Sequence, residues 1–192
     1  AGKAAWQMAH AARSCLQDNF CGGVVVTKYG HVNGEIADVA CFEGGHPVPD
    51  ENSLRGTDAA LALTEDLTES DTVVFLLSGG GSALFEKPLL PLAELQDVTN
   101  QLLAAGADIV EINTIRKRLS AVKGGRFARH CAPAQVFAVV LSDILGDPLD
   151  MIASGPTYPD SSSCAQALDI AKRYGLRLSE RAWALLAQET PK

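Results

Sequence analysis

The sequence predicts an α/β protein: a three-layer α/β/α domain built on a mostly parallel sheet. Short runs of apolar residues occupy both parities, as in Val73-Val74-Phe75-Leu76-Leu77, which marks strands buried on both faces. These runs alternate with longer segments of helical periodicity. Two of the strands also stop at polar loops bearing glycine, the usual edge for ligands in open parallel sheets.

The elements follow in order. Residues 3–18 place Trp6, Met8, Ala12 and Leu16 at helical spacing, and Gly22-Gly23 ends that helix. Val24-Val25-Val26 is a short strand, Lys28 to Gly34 a polar turn, and Ile36 to Phe42 a second strand. The stretch from Gly44 to Asp50 is too rich in Gly and Pro for regular structure. Residues 52–68 resume helical spacing, and the strand at 73–77 follows. Residues 92–105 form an amphipathic helix, Gly106 ends it, and Asp108 caps the next over 109–121. Lys123-Gly124-Gly125 breaks that helix, and a short one runs to about Arg129. Val136 to Leu141 is a further buried strand. Met151 to Asp160 is loop-like, and residues 163–174 and 179–187 finish as helices.

Composition bounds the function classes. The chain has 192 residues, with an apolar share normal for a globular core and a net charge of −7, which argues against a general nucleic-acid surface. No apolar run approaches the roughly 20 residues of a membrane span, and no signal-peptide pattern opens the chain. The 5 cysteines are odd in number and form no C-x-x-C, which reads as reduced thiols in a cytoplasmic protein. The 4 histidines show no zinc spacing. The chain begins Ala1-Gly2-Lys3 without an initiator Met, and its end, Gln188 to Lys192, looks like a linker. Both ends lead us to expect a piece of a longer polypeptide that lacks its first strand.

Ser78-Gly79-Gly80-Gly81-Ser82 is the most informative loop. Its glycines let the backbone turn and come close to a ligand, and its N–H groups and hydroxyls suit an anion such as phosphate. It completes neither G-x-G-x-x-G nor G-x-x-x-x-G-K-[ST]. The bland alternative is a tight strand–helix turn. The second loop, Ser142 to Asp147, supplies two carboxylates, Asp143 and Asp147. An anion cradle beside carboxylates suits phosphoryl transfer, where Mg²⁺ needs oxygens and the acceptor hydroxyl needs a base. A capping role for Asp143 and a turn role for Asp147 are the competing readings. Ala153-Ser154-Gly155-Pro156-Thr157 is either a second anion contact or a connecting turn. Arg116 to Arg129 concentrates positive charge in six residues: Arg116, Lys117, Arg118, Lys123, Arg126 and Arg129. Solvated charge is the default for most of them, while Lys123 beside its glycine pair can reach into a cleft. Lys3 at a helix N-terminus is electrostatically unfavourable unless an anion is near. His46, between Gly45 and Pro47, contacts substrate or only fixes its loop.

Together the motifs resemble the type-2 glycerate kinases, the glycerate 2-kinase group also labelled hydroxypyruvate reductase. The carrying segments are AGKAAWQMA at 1–9, GGHPVPDENS at 44–53, FLLSGGGSAL at 75–84, EINTIRKRLSAVKGGRFA at 111–128, LSDILGDPLDMIASGPTYPD at 141–160 and ETPK at 189–192. The resemblance implies most of an N-terminal Rossmann-like domain, with a C-terminal domain that forms the other wall of the cleft. It implies ATP and Mg²⁺ as cofactors, D-glycerate as substrate, and phosphorylation of the 2-hydroxyl; a homodimer is compatible with it. Lys3 matches the family lysine at the reacting groups, and Ser78, Gly79, Gly80, Gly81 and Ser82 match its phosphate or substrate loop. Asp143 is the candidate base or Mg²⁺ contact, with Asp147 as a second metal candidate. Asn113, Arg116, Lys123, Ser154, Gly155 and Thr157 are the remaining binding candidates. Two rival readings stay open: a nicotinamide-dependent hydroxypyruvate reductase, and a non-catalytic domain that binds small acids or sugar phosphates.

Overall fold

The computed structural model describes residues 1–142 and 148–192. It is a mixed α/β protein. Its strands are β1 (Gly23–Lys28), β2 (Val39–Gly44), β3 (Thr72–Ser78) and β4 (Gln135–Leu141). Its α-helices are α1 (Ala5–Leu16), α2 (Glu51–Leu63), α3 (Gly81–Leu84), α4 (Leu92–Ala104), α5 (Ile109–Arg118), α6 (Arg126–His130), α7 (Cys164–Arg173) and α8 (Glu180–Leu186). The chain divides into two compact units, residues 1–86 with 130–148 and residues 87–129 with 149–192.

The first unit holds all four strands. β1 pairs with β2 and β3 with β4, both in parallel. The named strands thus form two parallel pairs. Helix α1 packs on β1 and β3, and α2 packs on β1 and β2. The buried side chains here include Val25, Val26, Phe75, Leu77, Leu84 and Phe85. The backbone of residues 1–2 is bonded on both sides. The Ala1 nitrogen donates to the Leu76 carbonyl at 2.6 Å, and Ser78 N–H donates to the Ala1 carbonyl at 3.0 Å. Gly2 N–H donates to the Val26 carbonyl of β1 at 3.0 Å.

The second unit is helical. Its core joins Leu95, Val98 and Leu102 of α4 to Ile112 and Ile115 of α5, Ala167, Ile170 and Ala171 of α7, and Ala182 and Leu186 of α8. Each contributor recurs at helical spacing, so every helix turns one apolar stripe inward. Asp108 caps α5 as expected, in a capping box with Glu111; Asp50 with Ser53 and Ser163 with Gln166 do the same for α2 and α7.

Four expectations are corrected. The second strand begins at Val39, not Ile36, because Asp38 adopts a left-handed backbone (φ 63°) and Ile36 keeps only one antiparallel bridge to Val39. The helix expected over 52–68 ends at Leu63, where the Thr64 hydroxyl donates back to Ala60 and Leu61 carbonyls and Asp66 turns left-handed. The helix expected over 109–121 ends at Arg118, and Ser120 instead bridges Pro88. Strand β4 is not buried on both faces: Phe137, Val139 and Leu141 are 58 %, 51 % and 56 % exposed. These three lie opposite Val74, Leu76 and Ser78 of β3; Val74 is 39 % exposed but Ser78 is buried, so the exposure of this face is centred on β4. No helix among the described residues is long and apolar enough to cross a membrane.

Candidate functional site

Ser78 of β3 is the register partner of Leu141 of β4, so the carboxyl ends of these two strands lie at the same sheet edge. The loop after β3 is the glycine loop. Gly80 stands at φ 87°, the left-handed region, and turns the chain from β3 into α3. Lys3 N–H donates to the Gly79 carbonyl at 2.9 Å, and Ala4 N–H donates to the Ser78 hydroxyl at 3.0 Å. The start of α1 is thereby stitched to the loop. Gly2 makes that approach feasible: a Cβ there would lie 2.4 Å from Ser78 Oγ and 2.5 Å from Ser78 O, and its φ is +117°. Ser78 is buried, Gly79, Gly80 and Ser82 are half-buried, Gly81 is buried, and the Lys3 side chain is exposed. Among the described residues no carboxylate lies in ion-pair range of the Lys3 ammonium.

The loop after β2 arrives at the same place. A Cβ on Gly80 would lie 2.9 Å from His46 Cδ2, 3.1 Å from His46 Nε2 and 3.3 Å from Lys3 Cγ. His31 Nδ1 lies 2.9 Å from the Lys3 carbonyl. Asp50 holds the His46 loop in shape. Burial alone would raise its carboxyl pKa, but hydrogen bonds from the Tyr29 hydroxyl, the Ser53 and Gly45 N–H groups and the Ser53 hydroxyl outweigh that and hold it at about 2.

In the second unit, Asn113, Lys123, Ser154 and Gly155 come together. The Ser154 hydroxyl donates to Asn113 Oδ1 at 2.8 Å, and Lys123 Nζ donates to the Ala153 carbonyl at 3.3 Å. Gly124 and Gly125 N–H groups donate to the carbonyls of Ser154 and Gly155 at 2.9 Å and 2.8 Å. Ala153 and Ser154 are both left-handed, φ 50° and 63°, a conformation costly without glycine and sustained here by those cross-loop bonds. Asn113, Lys123 and Ser154 are fully or almost fully buried, Arg116 and Thr157 half-buried. Asp143 and Asp147 lie outside the described residues. Among the described residues, no three His, Cys, Asp or Glu side chains group as metal ligands do.

The basic run departs from solvated charge. Lys117 and Arg118 have no exposure and surround Asp160, itself buried. Lys117 Nζ lies 3.0 Å from Asp160 Oδ1 and 3.4 Å from Asp150 Oδ2; Arg118 lies 3.5 Å from Asp160 Oδ2. Ser162 N–H and the Thr190 hydroxyl also donate to Asp160, at 2.9 Å and 2.7 Å. Burial raises the Asp160 pKa, and these bonds together with the Lys117 charge bring it net below the ordinary value. Arg126 caps α5 from outside, donating to the Lys117 carbonyl at 2.9 Å. Nor is the C-terminal stretch a loose linker. Glu189 accepts from Cys164 N–H at 2.9 Å and from Arg118 at 3.3 Å, Thr190 is buried, and Lys192 Nζ donates to the Asp160 and Ser162 carbonyls. The buried Asp160 cluster needed those partners, and the polarity of the segment concealed it. Asp160 carried no sequence signal, because Lys117 and Thr190, two of the partners that make its burial tolerable, are 43 and 30 residues away in the chain.

Comparison with known proteins agrees with this fold. Residues 1–187 match the family model described as a domain of unknown function, DUF4147. The chain is 56 % identical over 193 aligned residues to a Thermotoga maritima protein named D-glycerate 2-kinase, covering 100 % of this chain and 46 % of that one. A crystal structure of glycerate kinase from the same organism superposes with a TM-score of 0.97, covering 100 % of this chain and 47 % of that chain. A Pyrococcus horikoshii structure superposes with a TM-score of 0.90 at 41 % identity, covering 96 % and 42 %. The chain spans about half the length of the curated relatives it matches. By the extent of that family match, the chain belongs to the DUF4147 family.

Proposed function

We propose that the chain is the N-terminal part of a D-glycerate 2-kinase, which moves the γ-phosphoryl of ATP to the 2-hydroxyl of D-glycerate with Mg²⁺. The observation that carries this reading is 56 % identity along the whole chain to the Thermotoga maritima protein of that name. The site chemistry fits: Lys3 is an exposed cation without a carboxylate partner among the described residues, set beside a glycine loop open to anions. In this reading Lys3 offsets charge on the reacting groups, and the Ser78 to Ser82 loop holds an anionic group by backbone N–H groups beyond Ser78, whose own N–H is bound to the Ala1 carbonyl. Asn113, Arg116, Lys123, Ser154, Gly155 and Thr157 shape the remaining contacts. Asp143 accepts the hydroxyl proton or holds the metal, with Asp147 as a second metal candidate. Mg²⁺, when bound, supplies neutralisation of phosphate charge.

We also infer that the two strand pairs belong to one three-layer Rossmann-like sheet. The bonds of Ala1 to β3 and of Gly2 to β1 support this, because the two residues lie between the pairs. Since the chain spans about half of its relatives, turnover is assigned to a polypeptide of their length, and residues 1–192 alone are expected to be inactive.

A coupled assay of ADP release on the full-length protein tests the kinase. D-glycerate-dependent release is expected, with Lys3→Ala and Asp143→Asn reducing it by orders of magnitude while the fold is kept. No release with D-glycerate sinks the reading, and saturable NADH binding would favour a reductase instead.

A further inference from the structure

We propose that His46 is a substrate-positioning residue, whose imidazole hydrogen-bonds the anionic group seated at the glycine loop beside Lys3; this rests on the kinase reading above. The placement is the starting point. The Cδ2–Nε2 edge of the ring abuts Gly80, and Lys3 Cγ abuts the same point from its own side. Imidazole and lysine stem therefore flank one backbone position that has no room for a side chain. Any anion approaching the loop there meets the Nε2 edge of His46 and the lysine together.

The surroundings hold this arrangement in advance of a ligand. Asp50 accepts bonds from Tyr29, Ser53 and Gly45, which ties the His46 loop to α2 and to the turn after β1. Asn52 Nδ2 donates to the Tyr29 hydroxyl at 2.8 Å and steadies the same corner. On the lysine side, Lys3 N–H is bound by Gly79 and its carbonyl lies against His31. Loops that carry ligand contacts work best when their geometry is prepaid in this way. His46 itself is half-buried.

The ligand chemistry is an oxyanion, which two sources can supply: a phosphate of the nucleotide or the carboxylate of glycerate. Calorimetric titration of the full-length protein with ATP and with D-glycerate separately distinguishes them. His46→Leu keeps bulk against Gly80 and removes the donor, while His46→Gln keeps a donor. We expect His46→Leu to weaken one of the two ligands about tenfold or more, the other by less than about twofold, and His46→Gln to recover most of the loss. The wild-type imidazole resonances, assigned by their loss in His46→Gln, should shift on adding that same ligand. Unchanged affinities in His46→Leu with unshifted His46 resonances overturn the proposal. If His46→Leu does not fold, the resonance titration decides alone. Failure of the wild type to bind either ligand removes the kinase reading and this inference with it, whereas binding without ADP release removes the kinase reading only.

Discussion

Lys117 Nζ donates to the Asp160 carboxylate at 3.0 Å, and both side chains are closed off from solvent. An ion pair so placed is costly to break, because removing one partner leaves the other charged and buried. Asp160→Ala should lower unfolding free energy by about 3–5 kcal/mol, read by urea denaturation. The paired replacement Lys117→Met with Asp160→Leu should cost less than the two single changes together. A loss under about 1 kcal/mol for Asp160→Ala would show that the pair is hydrated in solution.

The same carboxylate anchors the segment that resembles a linker. The Thr190 hydroxyl donates to Asp160 Oδ2 at 2.7 Å within a buried site. Thr190→Val keeps the shape and leaves an acceptor short of one donor, so it should destabilise by about 1–3 kcal/mol. Thermal unfolding compared with Thr190→Ser, which keeps the hydroxyl, separates the hydrogen bond from packing. Equal melting of Val and wild type would refute the anchor.

At the glycine loop, Gly2→Ala meets both a left-handed φ of +117° and a Cβ position 2.4 Å from Ser78 Oγ. We expect a loss of about 2 kcal/mol or more. Adding Ser78→Ala should not restore stability, since Ser78 O lies 2.5 Å from the same Cβ position. Full rescue by the second change would place the conflict in the hydroxyl alone.

Acid should loosen two loops. Asp50 and Glu189 are both held at about 2, below the ordinary carboxylate range. For Asp50, burial opposes the shift and the bonds from Tyr29, Ser53 and Gly45 win; for Glu189, the Cys164 backbone bond leads. A depressed native pKa stabilises fully above the unfolded value of about 4, and the contribution is lost as pH falls through about 2. Stability measured by denaturant between pH 5 and pH 2 should fall, and Asp50→Asn should flatten part of that slope. An identical slope in the variant would remove Asp50 from the account.

Element types were largely legible in the sequence, because apolar period and capping residues are local. Asp108 is readable as a cap from its position before an apolar-periodic run, and it caps α5. Ends were less legible where one residue's backbone decided them, as at Asp38 and Asp66. Exposure of β4 was not legible, since an apolar run does not reveal whether anything covers it. His46 showed only as a loop histidine, and its meeting with Gly80 brings together the loops after β2 and β3, which belong to different strand pairs.

By itself the sequence determined the strand and helix segments, the glycine loop after β3, and the ordered motifs that mark its family. These are set by near neighbours, through hydrophobic period, turn chemistry and backbone freedom. Only the tertiary structure decided the partition into two units, with β4 returning to β3 after the helical stretch, and the burial of Lys117, Arg118 and Asp160. The physical reason is one of distance: desolvation of a charge is tolerable only when its partners arrive together, and residues 117, 160 and 190 become neighbours only once the chain has folded.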